Sequence, residues 1–185
     1  MLDAAVTVFS QRGFHLASMD EIAEAAGVSK PMIYAYLGAK NDLFTACIRR
    51  EARRLMELIA AVVPPGLATD ERLHRGLLAF FAFVTEHRDG WIVLYRQARV
   101  REPFAGEISA ARARIIAMVA GLLAHSSSDN ARVRALPIAH ALVGAAEALS
   151  DWALEHPEET PEALTTRLMD IFWTGLQRAH WGNEG

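Results

Sequence analysis

Lysine is nearly absent from this 185-residue chain: Lys30 and Lys40 are the only two, and every other cationic position is arginine. Cysteine is scarcer still. The single Cys47 excludes an intrachain disulfide framework and a thiolate-rich zinc site, so a buried, inert thiol in a helix is expected. No apolar run approaches the roughly 18 residues of a membrane span. No charged leader with an apolar stretch and a cleavage site opens the chain. A cytoplasmic protein without a membrane partner is the expectation. A basic excess is missing too, because the net charge is −3. Residues 1–62 hold seven Lys+Arg against seven Asp+Glu. The chain therefore lacks the overall basic footprint of many nucleic-acid binders. Any contact with phosphates must come from a few placed groups, and non-specific affinity must be weak. Catalytic signatures are equally absent: there is no phosphate loop, no nucleophile elbow and no His-Glu-x-x-His. His87-Arg88-Asp89 comes without the downstream asparagine or glycine loop of a kinase, and the seven histidines show no ligand spacing. No enzyme, catalytic residue, metal or cofactor is expected.

What is present is a helical pattern. The chain is 52% hydrophobic, ample for a core, and its length suits one large domain or two small ones. No stretch alternates in the manner of a strand. Leu2, Ala5, Val6 and Phe9 form a first apolar stripe, closed by Gly13. Ser18-Met19-Asp20-Glu21 is a capping-box pattern that starts a second helix, and Gly27 supplies its left-handed stop. Ser29 is placed to cap a third helix, with Pro31 in the first turn, where a missing amide hydrogen costs little. Ile33 and Leu37 face inward with Val28, leaving Lys30, Pro31, Met32, Tyr34 and Ala35 outward. Helix, three-residue turn, helix is the organisation of a helix-turn-helix unit, and both lysines of the chain bracket its last helix.

A fourth helix runs from near Lys40 to about Val62 and ends at Pro64-Pro65-Gly66. Its Arg49, Arg50, Arg53 and Arg54 read as a solvated face paired with Glu51 and Glu57. Thr69 or Asp70 starts a fifth helix, up to a break at His87-Arg88-Asp89-Gly90. A short helix follows around Trp91 to Arg99, and another from about Gly106 to Ala124. Ser126 to Asn130 reads as a loop. The last two helices cover roughly Leu136 to Glu155 and Thr160 to Trp181. Pro137 marks either a first turn or a kink in a helix that starts near Arg132.

These residues resemble the TetR family of bacterial transcriptional regulators. Leu2-Asp3-Ala4-Ala5, Phe9 through Phe14, Ser18 through Ala23, Ala26 through Lys30 and Tyr34-x-Tyr36 fall in that family's order and spacing. Lys40 and Leu43-Phe44 complete the match, whereas residues 63–185 match only in outline. The resemblance implies an all-α fold of about nine helices. Residues 1–45 would be a three-helix, helix-turn-helix DNA-binding domain, and residues 46–185 a helical ligand-binding and dimerisation domain. It implies a ligand-responsive regulator, a repressor, that binds double-stranded DNA at a near-palindromic operator as a homodimer. Lys30, Pro31, Met32 and Tyr34 match positions facing base edges or adjacent phosphates. Tyr36 and Lys40 match backbone-clamping positions, Ser18 matches a phosphate contact, and Ser29 joins the set at the start of the third helix. Pro31 and Met32 can only pack on thymine methyls, so direct readout falls to Lys30 with guanine. Three features depart from the family. Met32 replaces a small hydroxyl residue, and Ala39 replaces a capping serine, which removes about 1 kcal/mol of capping. The chain also begins inside its first helix, so the basic extension many relatives carry is either trimmed or absent.

In the second region, Phe80, Phe83, Trp91, Tyr95, Phe104 and Met118 suit an apolar small-molecule effector and equally suit a core. Arg99, His140 and Glu147 need partners if buried; a ligand or a salt bridge would serve. Leu142, Val143, Ala146, Leu149, Leu168, Phe172 and Leu176 lie on helices apolar over more than one face, as a four-helix dimer interface requires. The alternative reading is a helical small-molecule-binding protein or enzyme whose N-terminal unit no longer binds DNA.

Overall fold

A computed structural model describes residues 1–97, 104–124 and 129–178, and within them the chain forms nine α-helices, one π-helical stretch and no strand. The helices are α1 Leu2–Leu16, α2 Met19–Ala26, α3 Lys30–Leu37, α4 Lys40–Val62, α5 Thr69–Glu86, α6 Arg88–Trp91, α7 Ala105–Leu123, α8 Asp129–Ala153 and α9 Pro161–Arg178. The π-helical stretch, Ile92–Gln97, follows α6 directly. The chain packs as two units: Met1–Arg54 with Glu86–Ala111, and Leu55–Thr85 with Arg112–Gly185.

The first unit is built around α1 to α3 and the start of α4. Helix α1 loses helical geometry at Gly13 (φ 76°, ψ 159°), where a stop was expected, but resumes for a last turn to Leu16, so the glycine is a kink inside the helix. Helix α2 starts on the expected capping box. The Ser18 hydroxyl accepts the Glu21 amide at 3.0 Å, and the Glu21 carboxylate accepts the Ser18 amide at 2.9 Å. Gly27 ends α2 with φ 65° and ψ 30°, the left-handed turn that a side chain resists. Ile22, Ile33, Phe9 and Phe44 are fully buried together, while Val28 and Leu37 pack on this core from its edge. The core is unusually aromatic. Phe44 meets Phe9 edge-on at 4.9 Å and Phe104 at 4.7 Å, and Phe14 meets Phe104 at 4.8 Å. Such contacts contribute about 0.5–1.5 kcal/mol each beyond the area they bury. Cys47 is buried among these side chains, and burial pushes its thiol up to about 12, so it is inert as expected.

Two expectations in this unit need correction. The arginine face of α4 is not simply solvated. Arg49 pairs with Glu107 rather than with Glu51 or Glu57, and Arg50 bonds both Asp3 and Glu51. Glu51 itself is buried. Its carboxylate rests against Gly90 of α6, where an added β-carbon would lie 2.5 Å from a carboxylate oxygen. Second, the break that ends α5 is real but confined to His87 (φ −120°, ψ 46°): the chain turns helical again at Arg88, and the Ser10 hydroxyl donates to Asp89 of that turn at 2.7 Å.

The second unit contains most of α5, the later part of α7, and α8 and α9. Leu73, Phe81, Phe83, Leu123 and Leu142 are its most completely buried large side chains, with Leu55 from α4. Arg72 ties the start of α5 to the end of α7 through Thr69 Oγ1 (2.8 Å) and the Ala124 carbonyl (3.1 Å). Helix α8 starts at Asp129, earlier than Leu136, with Pro137 inside it. A proline there has no N–H to bond the carbonyl four residues back. Helix α9 begins as expected, with Thr160 Oγ1 accepting the Ala163 amide at 3.2 Å.

Candidate nucleic-acid interface and effector cavity

Helix α3 owes its exposed face to a short sequence in which only every fourth position is needed inside. Ile33 is completely buried, whereas Met32, Tyr34 and Tyr36 are 43%, 46% and 74% exposed. Lys30, Pro31 and Ala35 are also exposed. Ser29 occupies the N-cap position with extended backbone, yet its hydroxyl makes no capping bond. That corrects the expectation that its side chain caps α3. The Met32 and Ile33 amides turn back to the Ser29 carbonyl at 3.0 and 3.3 Å and Pro31 has no N–H, so the Ser29 hydroxyl and the Lys30 amide are what this helix start can offer a phosphate.

The two lysines sit differently. Lys30 Nζ bonds Asp20 on α2 at 2.9 Å, and this hydrogen bond raises its pKa. Lys40 Nζ donates to the His15 carbonyl at 3.0 Å and lies 4.8 Å from the centre of the Phe14 ring. Partial burial lowers the Lys40 pKa. One donor committed still leaves two N–H donors on each ammonium. Ser18 uses its hydroxyl oxygen as the α2 cap. Glu21, in the same cap, has its pKa lowered first by the Ser18 backbone bond and then by the hydroxyl. At the start of α4, Asp42 accepts the Ala39 amide at 2.9 Å, half of a capping box whose other half needs the hydroxyl that alanine lacks. Sequence reasoning missed the Asp20–Lys30 pair, because ten residues separate partners that the α2–α3 turn brings together.

The second unit holds an apolar cavity of about 40 Å³. Helix α5 contributes Leu73, Gly76, Leu77 and Phe80; α7 contributes Ile115, Val119 and Leu122; Ile59 of α4 closes one side. The wall on α8 is Leu142, Val143 and Ala146. Those three were expected at a dimer interface, and they are buried within the single chain, as are Leu168 and Leu176. Leu149 and Phe172 are half-buried.

The residues expected around a ligand do not gather into one lining. Phe80 walls the cavity; Phe83 is buried but not part of that wall, and Met118 is half-buried outside it. Trp91 stacks on Tyr95 at 4.8 Å in the first unit, and Phe104 belongs to that unit's core. His140 is exposed, and Arg99 lies outside the described residues. Glu147 is buried and takes the salt-bridge alternative, accepting Arg112 Nε at 2.9 and 3.1 Å. Arg112 itself was missed. The signal was its place one turn before Ile115, on the apolar side of α7.

Among the described residues, no group of three or more His, Cys, Asp or Glu could hold a metal ion, and no helix is long and apolar enough to cross a membrane.

Comparison with known proteins matches both regions. Residues 1–47 fit the family described as "Bacterial regulatory proteins, tetR family", and residues 69–175 fit "Tetracyclin repressor-like, C-terminal domain". The chain is 35% identical over 103 residues to the HTH-type transcriptional activator FasR of Mycolicibacterium smegmatis, covering 56% of this chain and 47% of that protein. It is 36% identical over 130 residues to an uncharacterized HTH-type transcriptional regulator of Mycobacterium tuberculosis, covering 68% and 60%. These matches span only about half to three-fifths of those relatives' lengths. The crystal structure of a TetR-like transcriptional regulator from Rhodococcus sp. RHA1 superimposes with a TM-score of 0.79 at 45% identity, covering 95% of this chain and 93% of that one. With a helix-turn-helix that exposes its second helix, an all-helical second region and both family matches, the chain belongs to the TetR family of bacterial regulatory proteins.

Proposed function

We propose that this chain is a ligand-responsive transcriptional regulator that binds a near-palindromic DNA operator as a cytoplasmic homodimer and represses transcription. The observation that carries the reading is α3. A helix that turns only Ile33 and Leu37 to the core and exposes Lys30, Pro31, Met32, Tyr34 and Tyr36 is built to be inserted into something. Two such helices, about 34–36 Å apart in a dimer, meet successive major grooves. Lys30 reads guanine, Pro31 and Met32 pack on thymine methyls, and Tyr34, Tyr36, Lys40, Ser18 and Ser29 hold phosphates.

The division of labour follows the chain. Residues 1–45 bind DNA, and residues 46–185 bind effector and dimerise. The half-buried Leu149 and Phe172 and the exposed Ile171 are what α8 and α9 offer a second copy. The effector enters the apolar cavity and acts through different affinities for DNA-competent and DNA-incompetent dimers. Repression follows when the operator overlaps a promoter; an operator upstream of one would give activation, the role in the name of the M. smegmatis relative.

The test is selection of bound sequences from random duplex DNA at moderate salt, with the dimer verified by sedimentation. An enriched palindrome supports the reading. A folded dimer that enriches nothing at any salt overturns it in favour of a ligand-binding protein.

A further inference from the structure

The effector cavity is walled by apolar side chains and glycine, and one charged pair joins the two wall helices α7 and α8 a turn beyond that lining. Arg112 precedes Ile115 by three residues on α7, and Glu147 follows Val143 by four on α8, so each lies one turn beyond a wall residue on the same helix face. Arg112 Nε holds both Glu147 oxygens, at 2.9 and 3.1 Å. The two Nη nitrogens bond no described residue, and Nη2 lies beside Gly144, 3.8 Å from where a β-carbon would sit. The side chain of Arg112 is 34% exposed against 12% for Glu147. Solvent therefore reaches the arginine, and its unused hydrogen-bonding capacity is donor only. A guanidinium carries five N–H donors in a planar fork, and four of them are available here.

We propose that Arg112 is the head-group site of this cavity and that the effector is a single-chain amphiphile with an anionic head, carboxylate or phosphate. The tail lies among Leu77, Phe80, Val119 and Val143. The head takes the Nη edge of Arg112 beside Glu147. This deepens the reading of the second unit as an effector domain and rests on it. Two consequences follow from the geometry. A second anion beside Glu147 loosens the tie between α7 and α8, because like charges share one cation. The cavity, about 40 Å³ as it stands, must widen to admit a tail, so the α5 and α7 walls part. Both changes are confined to the liganded form, which is what an effector response requires.

The experiment titrates the full-length protein by calorimetry with dodecanoate, dodecyl phosphate, dodecanol and dodecyltrimethylammonium. Both anions should bind at least tenfold tighter than the alcohol, roughly the value of one charge-assisted hydrogen bond. The cation should bind no better than the alcohol, and the tighter anion identifies the natural head. Glu147→Gln should tighten anion binding several-fold, which loss of a merely structural salt bridge would not do. Arg112→Gln alone strands a buried carboxylate, so the Arg112→Gln/Glu147→Gln double variant is used to equalise anion and alcohol. Gly76→Leu, whose side chain would fill the space beside Leu122 and Ile59, should weaken every amphiphile. Equal binding of alcohol and anions by wild type, an unchanged anion preference in the double variant, or no binding of any of the four would overturn the proposal. Operator binding by the same ligand-free preparation reports on the regulator reading separately.

Discussion

Helices α3 and α8 each carry a proline and use their side chains in opposite directions. In α3 the proline stands in the first turn, where it costs no hydrogen bond, and nearly every large side chain faces out. In α8 it stands inside the helix, and Leu142, Val143 and Ala146 line the apolar cavity. An outward face keeps the chemistry of its residues, so identity alone says what it can touch. An inward face takes its meaning from whatever packs opposite, and the same leucine is core, cavity wall or interface. The DNA-facing half is therefore legible residue by residue, and the effector half only as a class.

The largest expected effect breaks the outward face. The Lys30→Ala/Tyr34→Ala double variant should lose operator binding by two orders of magnitude or more while remaining a dimer, since base contacts are worth about 1–3 kcal/mol each and recur in both half-sites. Gel shift and sedimentation check it, and near-normal binding would remove α3 from the recognition role. Phe44→Ala strikes the inward side of the same unit, where three aromatic contacts meet. It should cost about 3–5 kcal/mol in denaturant unfolding. DNA binding should fall only where the unit unfolds, which separates packing from recognition.

A smaller effect belongs to Ser18. Ser18→Ala removes the α2 cap and costs about 1 kcal/mol. The cap also has a pH signature. The Glu21 pKa is held below its ordinary 4.5, so its contribution is present above that pH and is lost as pH falls toward the folded value. Melting curves between pH 3 and pH 6 (a range set by ordinary carboxylate titration) should show both proteins losing stability toward the acid end, since the residue 18 amide survives in Ser18→Ala, with the gap between them narrowing only by the hydroxyl's smaller share. The smallest effect is Asp20→Asn. It frees Lys30 from its intramolecular partner, and non-specific DNA affinity should rise about two- to threefold at low salt, as expected for an exposed ion pair. An unchanged affinity would mean that Lys30 reaches DNA without leaving Asp20.

Much of this was legible because it is local. The Ser18–Glu21 cap, the Gly27 turn, the inward Ile33 and the Thr160 cap each depend on residues within one or two turns, and all are in the structure. What escaped is long-range. Glu51 looked like one more solvated charge until α6 covered it. Trp91, Tyr95 and Phe104 looked like Phe80, and chain topology alone assigns them to a different unit. Arg112 was overlooked because its partner is 35 residues away. Of the two readings of Pro137, the structure takes the one with an earlier start and the proline inside α8, which a helix can carry when packing compensates the lost bond.

Gly90 of α6 lies against the buried Glu51 carboxylate, so a β-carbon there forces that carboxylate to shift. In a saturation library scored for a working regulator, codon 90 should return glycine almost alone, with even alanine depleted. A partner substitution that shortens residue 51 to aspartate should bring alanine back. That pair is a genetic address for the α4–α6 junction, readable by sequencing survivors without purifying any protein.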